Sequence, residues 1–158
     1  MAEYKNPELL VTTDWVLENK DNPEIKVVES NEDILLYDLG HVEGAIKLDW
    51  ETELQDRVVR DYVNKDNFEK LMSSKGISPE DTVVFYGDKS NWWACYALWT
   101  FKIYGHAKCL IMNGGRQKWV EEEKPLTKDV AELPATNYKV SNVNLDIRNY
   151  NKIQMFVH

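Results

Sequence analysis

Residues 83–99 read VVFYGDKSNWWACYALW, an apolar run that is interrupted by Gly-Asp-Lys-Ser-Asn before a second apolar run begins. This order predicts a buried strand, a tight loop and the N-terminus of a helix. Such a junction directs several backbone N–H groups to one place, where anions and thiolates are stabilised. The loop contains no obvious nucleophile, so its shape indicates a site whose reacting group is missing.

The composition is that of one globular domain. The 158 residues are 43% hydrophobic and 29% charged, and the formal net charge is −8. This acidity argues against a nucleic-acid or anionic-membrane binder, because both reward clustered lysine and arginine. The chain has no run of about 18 apolar residues, and its first residues, MAEYKNPELL, lack the apolar stretch of a signal peptide. We therefore expect a soluble cytoplasmic protein without a membrane span.

Helical and extended patterns alternate along the chain on both sides of the opening stretch. The predicted elements, in chain order, are helix 12–20, strand 24–30, a short extended piece at 45–50, helix 64–77, strand 81–87, helix 91–105, strand 108–115 and helix 116–124. Thr13 is a candidate cap for the first helix. The alternation predicts an α/β domain in which helices cover both faces of a sheet.

The histidines and the Gly114–Gly115 pair do not form a metal or cofactor motif. His41 could serve as a general base or could bind the backbone to fix its loop, and we favour the second interpretation. Gly114 and Gly115 stand where the predicted strand 108–115 meets the next helix, and there we favour a tight turn with close backbone packing over a phosphate site. His106 and His158 indicate no ligand cluster, so we expect neither a metal nor a cofactor.

The two cysteines are not predicted to be nucleophiles. Cys95 and Cys109 are 14 residues apart and have no spacing typical of a zinc site or a disulfide framework. Cys95 falls eight residues past Gly87, inside a predicted apolar helix, whereas an activated thiolate favours the helix N-terminus or the loop. A cysteine deeper in such a helix, or in an interior strand as predicted for Cys109, behaves as a small buried hydrophobe.

The sequence changes character after Pro125. The residues that follow have little helical periodicity and many polar side chains, which is typical of a linker. The last stretch, LDIRNYNKIQMFVH (145–158), then places Ile147, Tyr150 and Ile153 in rough helical register. We interpret it as the beginning of an element whose remainder is absent from this chain.

Together these segments resemble the rhodanese family. Its signature is an aromatic residue, three residues, His, an aliphatic residue, Pro, Gly, Ala and a further aliphatic residue. The stretch YDLGHVEGAIKL (37–48) is similar to that signature, with Glu43 in place of the proline; the matching residues are Tyr37, His41, Val42, Gly44, Ala45 and Leu48. The opening stretch and LIMNGGRQKW (110–119) resemble the centre and end of the same domain. The resemblance implies a parallel five-stranded sheet with helices on both faces.

The resemblance also implies sulfur-transfer chemistry for which this chain lacks the nucleophile. In the family, a cysteine at the start of the loop after the central strand takes sulfane sulfur from thiosulfate as a persulfide. A thiophilic acceptor such as cyanide then removes that sulfur. The position falls at Tyr86 or Gly87, neither of which forms a persulfide, and Asp88 beside them would oppose an anion. A pseudo-active loop is therefore implied, consisting of Gly87, Asp88, Lys89, Ser90 and Asn91.

The order of these segments is most similar to the N-terminal, catalytically silent domain of tandem-domain thiosulfate sulfurtransferases. This similarity implies a silent rhodanese domain at 8–126, a linker at 127–144 and the start of a truncated second domain at 145–158. The implied partner is a C-terminal rhodanese domain, in cis or in trans. Thiosulfate and the sulfur acceptor would bind only through that domain.

In such an arrangement the silent domain supplies apolar walls to an interdomain site. The candidates are Tyr37 and one of Trp92 and Trp93, because two adjacent tryptophans cannot both face the core of one helix. The isolated chain would expose this surface, so we expect self-association. A stand-alone, non-catalytic module that binds a partner protein is the alternative function. A rhodanese-related phosphatase is less favoured, since it too needs the loop cysteine.

Overall fold

Five parallel strands form the central sheet of the computed structural model, which describes residues 6–56, 58–59 and 61–148. Its strands are β1 (Leu10–Val11), β2 (Ile25–Glu29), β3 (Ile46–Lys47), β6 (Thr82–Tyr86) and β7 (Cys109–Met112). The two strands between β3 and β6, β4 (Gln55–Asp56) and β5 (Asp61–Tyr62), form a small separate antiparallel sheet. The order across the main sheet is β1-β7-β6-β2-β3, so β6 is its central strand. The parallel five-stranded sheet expected from the sequence is confirmed.

Helices connect these strands, as the alternating pattern predicts. Their bounds are α1 (Thr13–Asn19), α2 (Leu36–Leu39), α3 (Lys65–Lys75), α4 (Trp92–Ile103) and α5 (Gly115–Glu121), with 3₁₀ turns at Pro7–Leu9, Lys89–Asn91 and Leu145–Arg148. Gly76 ends α3 in a left-handed conformation with a φ of 78°. Within the described ranges, every helix is too short or too polar to cross a membrane. The cytoplasmic location stays a prediction.

The central strand shows why helices are required on both faces. Val83 and Phe85 of β6 pack with apolar side chains of α3 and α4 on one face. Val84 and Tyr86 point to the opposite face and pack with Trp119 of α5. Because successive side chains of a strand alternate between faces, an apolar strand such as β6 buries both faces of the sheet.

The cap of α1 differs from the sequence expectation. Thr12, rather than Thr13, has the extended backbone of a cap, and its hydroxyl accepts a hydrogen bond of 3.0 Å from the Trp15 N–H. Thr13 is already the first helical residue, and its hydroxyl donates to the carboxylate of Glu122 instead. The position of a cap depends on where the backbone turns, which the two adjacent threonines leave ambiguous in the sequence.

Residues 127–148, which we call the strap, pack along the domain. Residues 127–144 contain no helix or regular strand, in keeping with the predicted linker, but they are packed on the domain. Tyr138 is buried in the core formed with α3 and α4, and Leu133, Val140 and Ile147 pack against the same core. Of the predicted start of a second domain, only residues 145–148 are described, and 149–158 lie outside the described residues. The predicted domain boundaries stay predictions.

Candidate functional site

The carboxyl ends of the central strands bring three loops to one edge of the sheet. In the parallel register, Glu29 at the end of β2 lies beside Tyr86 at the end of β6. The segments that follow these strands begin at Ser30 and Gly87, and the loop after β7 leads into α5 at the same edge. Ligand sites in parallel sheets form at this edge, so the pseudo-active loop lies where such a fold would place chemistry.

The pseudo-active loop is fixed by side chains of its own and by the α5 N-terminus. The Gly87 N–H donates to Asn91 Oδ1 over 3.0 Å, and Asn91 Nδ2 donates to the Met112 carbonyl oxygen over 2.9 Å. The Arg116 N–H donates to the Gly87 carbonyl oxygen over 2.9 Å. Lys89, Ser90 and Asn91 have φ values of 49°, 55° and 64°, a left-handed conformation that non-glycine residues rarely adopt. The surrounding contacts therefore hold the loop in a conformation that costs energy.

Asp88 joins this loop to the segment after β2. Its carboxylate accepts hydrogen bonds from the N–H groups of Glu32 and Asp33, at 2.7 and 3.1 Å. Its own N–H donates to Asn31 Oδ1 over 2.9 Å. Both the carboxylate and the amide of Asp88 are thus engaged within the chain.

Gly87 is the first residue after β6 and has no space for a side chain. A Cβ atom added to it would clash with the carbonyl oxygen of Ser30, well inside the 3.0 Å that real Cβ atoms keep, and would lie 3.2 Å from Asn31 Oδ1. The obstacle is backbone, which cannot rotate away as a flexible side chain can. Tyr86, the other position left open by the sequence, is the last residue of the strand, and its side chain is fully buried.

A buried carboxylate cluster, which consists of Glu29, Asn31, Tyr86 and Arg116, lies beneath the loop. Arg116 Nη1 and Asn31 Nδ2 both donate to Glu29 Oε1, over 2.9 and 2.6 Å. The Tyr86 hydroxyl donates to Glu29 Oε2 and accepts a hydrogen bond of 3.1 Å from the Val42 N–H. The glutamate side chain is 0% exposed and that of Arg116 is 11% exposed. The cluster therefore joins β2, β6, α5 and the segment around His41 through one carboxylate.

Burial dominates the electrostatics of this cluster. It raises the pKa of Glu29 above its ordinary value, although the Tyr86 hydroxyl, the Arg116 charge and Asn31 oppose the shift. Burial, together with the neighbouring Glu29 charge, also raises the pKa of Tyr86 well above its ordinary value. Sequence reasoning missed Glu29 and Arg116. The available signals were an acidic residue closing the apolar strand IKVVE and an arginine directly after Gly114–Gly115.

His41 binds backbone oxygens at both ring nitrogens. Its Nδ1 lies 2.8 Å from the Tyr37 carbonyl oxygen and its Nε2 lies 2.7 Å from the Asp129 carbonyl oxygen. The imidazole is fully buried and stacks on the Tyr37 ring, with 3.7 Å between ring centroids. Tyr37 in turn donates from its hydroxyl to the Ala45 carbonyl oxygen over 2.6 Å, and burial raises its pKa to about 12. Both rings therefore brace the segment that carries the family signature.

Gly44 of the signature and the Gly114–Gly115 pair between β7 and α5 are favoured for different reasons, backbone conformation in the first case and close packing in the second. Gly44 has a φ of 83°, and a Cβ there would meet nothing within 4 Å, so its conformation rather than space favours glycine. Gly114 has a φ of 86°. A Cβ on Gly115 would lie 2.5 Å from Asn91 Oδ1 and 2.8 Å from the Gly87 carbonyl oxygen. The Gly114–Gly115 turn thus packs directly against the pseudo-active loop.

The adjacent tryptophans have different surroundings. Trp92 begins α4 and is 62% exposed beside the pseudo-active loop. Trp93 is half-buried and stacks on Trp50, with 3.6 Å between ring centroids and 3° between ring planes. Tyr37, the third candidate for an interdomain wall, is 3% exposed and has almost no surface to offer. The wall role of these residues stays a prediction, and Trp92 is the one with accessible area.

The two cysteines are free thiols outside the loop. Cys95 is the fourth residue of α4 and half-buried, and Cys109 is buried in β7. Burial raises the pKa of the Cys95 thiol, and it raises that of Cys109 to about 12. Within residues 6–56, 58–59 and 61–148, His, Cys, Asp and Glu side chains form no group that could hold a metal ion.

Comparison with known proteins identifies the family. Residues 12–122 match the Rhodanese-like domain family. The sulfur carrier protein TtuD of Thermus thermophilus is 53% identical over 147 residues, which cover 93% of this chain and 52% of TtuD. The thiosulfate sulfurtransferase of Corynebacterium glutamicum is 48% identical over 138 residues, which cover 87% of this chain and 46% of that protein.

The fold has a close counterpart among solved structures. SseA from Escherichia coli, described as a 3-mercaptopyruvate sulfotransferase, superposes with a TM-score of 0.77 at 23% identity, over 86% of this chain and 56% of SseA. The chain spans about half the length of the curated relatives it matches. The resemblance that the sequence motifs indicated is thereby confirmed, and this chain belongs to the rhodanese-like domain family.

Proposed function

We propose that this chain is the catalytically silent N-terminal domain of a thiosulfate sulfurtransferase. Gly87 carries the proposal, because the position that begins the loop after the central strand has no thiol and no room for one against Ser30. A domain closed at this position holds no persulfide of its own. The sulfur would instead pass through a cysteine of a C-terminal rhodanese domain. Thiosulfate would give its outer sulfur to that thiolate and leave as sulfite, and an acceptor such as cyanide would leave as thiocyanate.

Three further observations support this proposal. The relatives include a thiosulfate sulfurtransferase and a sulfur carrier protein, and the chain aligns with about half of each. In a tandem protein the pseudo-active loop would act as a scaffold, since the carboxylate of Asp88 and the amide of Asn91 are used to fix backbone groups. Trp92, exposed at the start of α4, is the residue best placed to cover the apolar side of an interdomain site.

The isolated 158-residue chain is expected to be inactive in thiosulfate:cyanide sulfur transfer. Its two thiols lie outside the loop, and burial raises the pKa of both, so neither is a ready thiolate at neutral pH. Thiocyanate formation should equal the rate without protein, and Cys95→Ser and Cys109→Ser should change nothing. The thiosulfate sulfurtransferase of Corynebacterium glutamicum serves as the positive control. Transfer by the pure chain that Cys95→Ser abolishes would contradict the proposal.

A second candidate function is a non-catalytic module that binds a partner protein. It is favoured by the exposed Trp92 beside a loop without a nucleophile, and by the net charge of −8, which would select a basic partner. Sequencing the gene beyond codon 158 separates the two functions. A following rhodanese domain with a loop cysteine supports the tandem enzyme, whereas a stop codon with no such domain nearby supports the module.

Self-association of the isolated chain is expected in either case. Trp92 exposes 62% of its surface, and an apolar area that normally meets a partner tends to pair with a second copy. Sedimentation velocity over a range of concentrations should show a dimer that Trp92→Ala weakens. Val120→Ala, on the 49% exposed Val120 of α5, is the matched control and should leave the dimer intact. A monomer at every concentration would count against this interface.

A further inference from the structure

Two histidines attach the strap to the domain at separate points. Near its start, the Asp129 carbonyl oxygen lies 2.7 Å from His41 Nε2, and Thr127 exchanges two backbone hydrogen bonds of 2.8 Å with His41. Further along, the Tyr138 hydroxyl lies 2.7 Å from His106 Nδ1. Both imidazoles are at least 98% buried, with 0% and 2% exposure. The strap is therefore connected to two titratable groups, whose surroundings differ.

His41 faces two acceptors. The carbonyl oxygens of Tyr37 and Asp129 lie at its two ring nitrogens, and both oxygens can only accept hydrogen bonds. The Glu29 carboxylate interacts with this ring electrostatically, and the neutral Tyr37 stacks on it. The start of the strap is also held by the two backbone hydrogen bonds between His41 and Thr127, which involve no titratable group.

His106 faces one acceptor and one hydroxyl. Its Nε2 lies 2.7 Å from the Asp81 carbonyl oxygen and therefore carries the proton in the neutral ring. Its Nδ1 then accepts from the Tyr138 hydroxyl. A second proton on Nδ1 turns that nitrogen into a donor, so the hydroxyl must rotate. The hydroxyl hydrogen of Tyr138, a residue that is 2% exposed, then loses its acceptor, which is costly for a buried group.

We propose that the strap is a proton-controlled clasp, in which protonation of His106 releases residues 133–144 from α3 and α4 while His41 keeps the start of the strap attached. The released part is held by the burial of Tyr138, by the packing of Leu133 and Val140 on the same core, and by polar contacts near Tyr138. The Tyr138 N–H donates to Ser73 Oγ over 2.9 Å, and the Val140 N–H donates to Glu69 Oε2 over 2.7 Å. These contacts have no regular helix or sheet to support them once Tyr138 leaves its pocket.

The groups around His106 favour release of residues 133–144 at low pH. Asp81 and Glu80 face it from the turn before β6, Lys102 from α4, and the Cys109 thiol donates to the His106 carbonyl oxygen over 3.5 Å. Burial is the largest influence and lowers the pKa of His106 below its ordinary value of 6.5. The hydrogen bond to the Asp81 carbonyl oxygen and the charges of Asp81 and Glu80 oppose this shift, whereas the Lys102 charge adds to it. The open state thus binds the proton more readily than the closed state. Opening becomes more favourable as the pH falls below 6.5 and levels off below the lowered pKa.

Release of the strap lengthens the connection to a following segment once residues 145–148 also leave α4, where Trp99 Nε1 donates to the Ile147 carbonyl oxygen over 3.1 Å. Residues 133–144 can span roughly 40 Å when extended. If the chain is the first domain of a tandem enzyme, acidification would let the two domains separate, a consequence that rests on the proposed function. The clasp itself does not depend on it, because it is measurable in this chain alone.

Amide hydrogen exchange at pH 7.5 and pH 5.5, corrected for intrinsic rates, tests the clasp. We expect a severalfold increase in the opening equilibrium at Thr136, Tyr138 and Val140 on acidification. The Thr127 amide, held by the His41 carbonyl oxygen over 2.8 Å, and the Val83 amide of β6, held by the Lys108 carbonyl oxygen over 2.9 Å, should stay protected. Parallel loss of protection at Val83 would show global unfolding and would overturn the proposal.

Two variants assign the titrating group. His106→Gln should remove the pH dependence at Tyr138, because glutamine does not titrate. Glu69→Gln keeps a side-chain oxygen that can accept the hydrogen bond from the Val140 N–H, so this variant should retain the pH dependence at Tyr138. A pH dependence that survives in His106→Gln, or that disappears in Glu69→Gln, contradicts the role of His106. If His106→Gln does not fold, the titration of the His106 imidazole is followed by NMR in the unaltered chain. Its midpoint should equal that of amide opening at Tyr138, and a different midpoint rejects the clasp.

Discussion

Replacing Arg116 with methionine is expected to lower the free energy of unfolding by about 3–5 kcal/mol, the range found when one partner of a buried ion pair is removed. Glu29 has a side chain that is 0% exposed, and Arg116 Nη1 lies 2.9 Å from its Oε1. Without the guanidinium, the carboxylate keeps only the neutral donors Asn31 and Tyr86 among the residues that the structure describes. Urea denaturation of the variant and of the unaltered chain at pH 7.5 measures the loss.

A matched control separates burial from charge. Lys20→Met also removes a cation, but its partners Asp21 and Glu43 are 77% and 68% exposed, so we expect a loss below about 1 kcal/mol. In the Arg116→Met background, Glu29→Gln should recover part of the loss, because its amide oxygen still accepts hydrogen bonds without a buried charge. Equal losses for Arg116→Met and Lys20→Met would contradict the assignment of Glu29 as a buried anion.

The pH dependence of the Arg116→Met variant has a defined sign. Burial raises the pKa of Glu29 above 4.5, so its ionised form opposes folding once the arginine is gone. The native state then binds a proton that the unfolded state releases. Stability relative to the unaltered chain should therefore improve as the pH falls towards 4.5, and it should worsen as the pH rises through the raised pKa.

Gly87→Cys is not expected to give this chain sulfur-transfer activity. The substitution should destabilise the domain by roughly 3 kcal/mol, at the upper end of the range for overpacking. Its Cβ would clash with the Ser30 carbonyl oxygen, and the strand-loop junction is held on both sides by hydrogen bonds. The thiol would also face the Asp88 carboxylate, which opposes a thiolate or persulfide. Thiocyanate formation should stay at background, and the urea midpoint should fall.

Gly87→Ala and Gly44→Ala form the control pair for this prediction. Gly44 has space for a Cβ but a φ of 83°, so alanine there costs only the left-handed backbone, about 1–2 kcal/mol. Gly87→Ala should cost more, because its obstacle is a neighbouring backbone oxygen. A stable Gly87→Cys protein that forms thiocyanate would show that the thiol alone is missing, and it would contradict a closed loop.

The elements that sequence reasoning predicted well are those whose signals are local. Residues 81–87 and 91–105 became β6 and α4 with ends shifted by one or two residues, because an apolar β-branched run and a Gly stop act within a few residues. The extended piece at 45–50 contains only the strand Ile46–Lys47. The cap of α1 was wrong by one residue, since Thr12 and Thr13 carry the same chemical signal.

The contacts that sequence reasoning did not anticipate join residues far apart in the chain. Glu29 and Arg116 are 87 positions apart, and Tyr138 meets His106 across 32 positions. No periodicity encodes such pairs. The polar composition after Pro125 predicted a linker, while the burial of Tyr138 depends on a pocket that α3 and α4 create only after folding.

The sequence by itself determined the alternation of strands and helices, the family signature around His41 and the absence of a cysteine from residues 87–91. These features depend on residue types and on spacings within a few positions. The tertiary structure alone decided that Gly87 is closed by the backbone of Ser30 and that the two buried histidines hold the strap. The physical reason is that space and hydrogen-bond partners at the edge of a parallel sheet come from distant segments, which only the packed fold brings together.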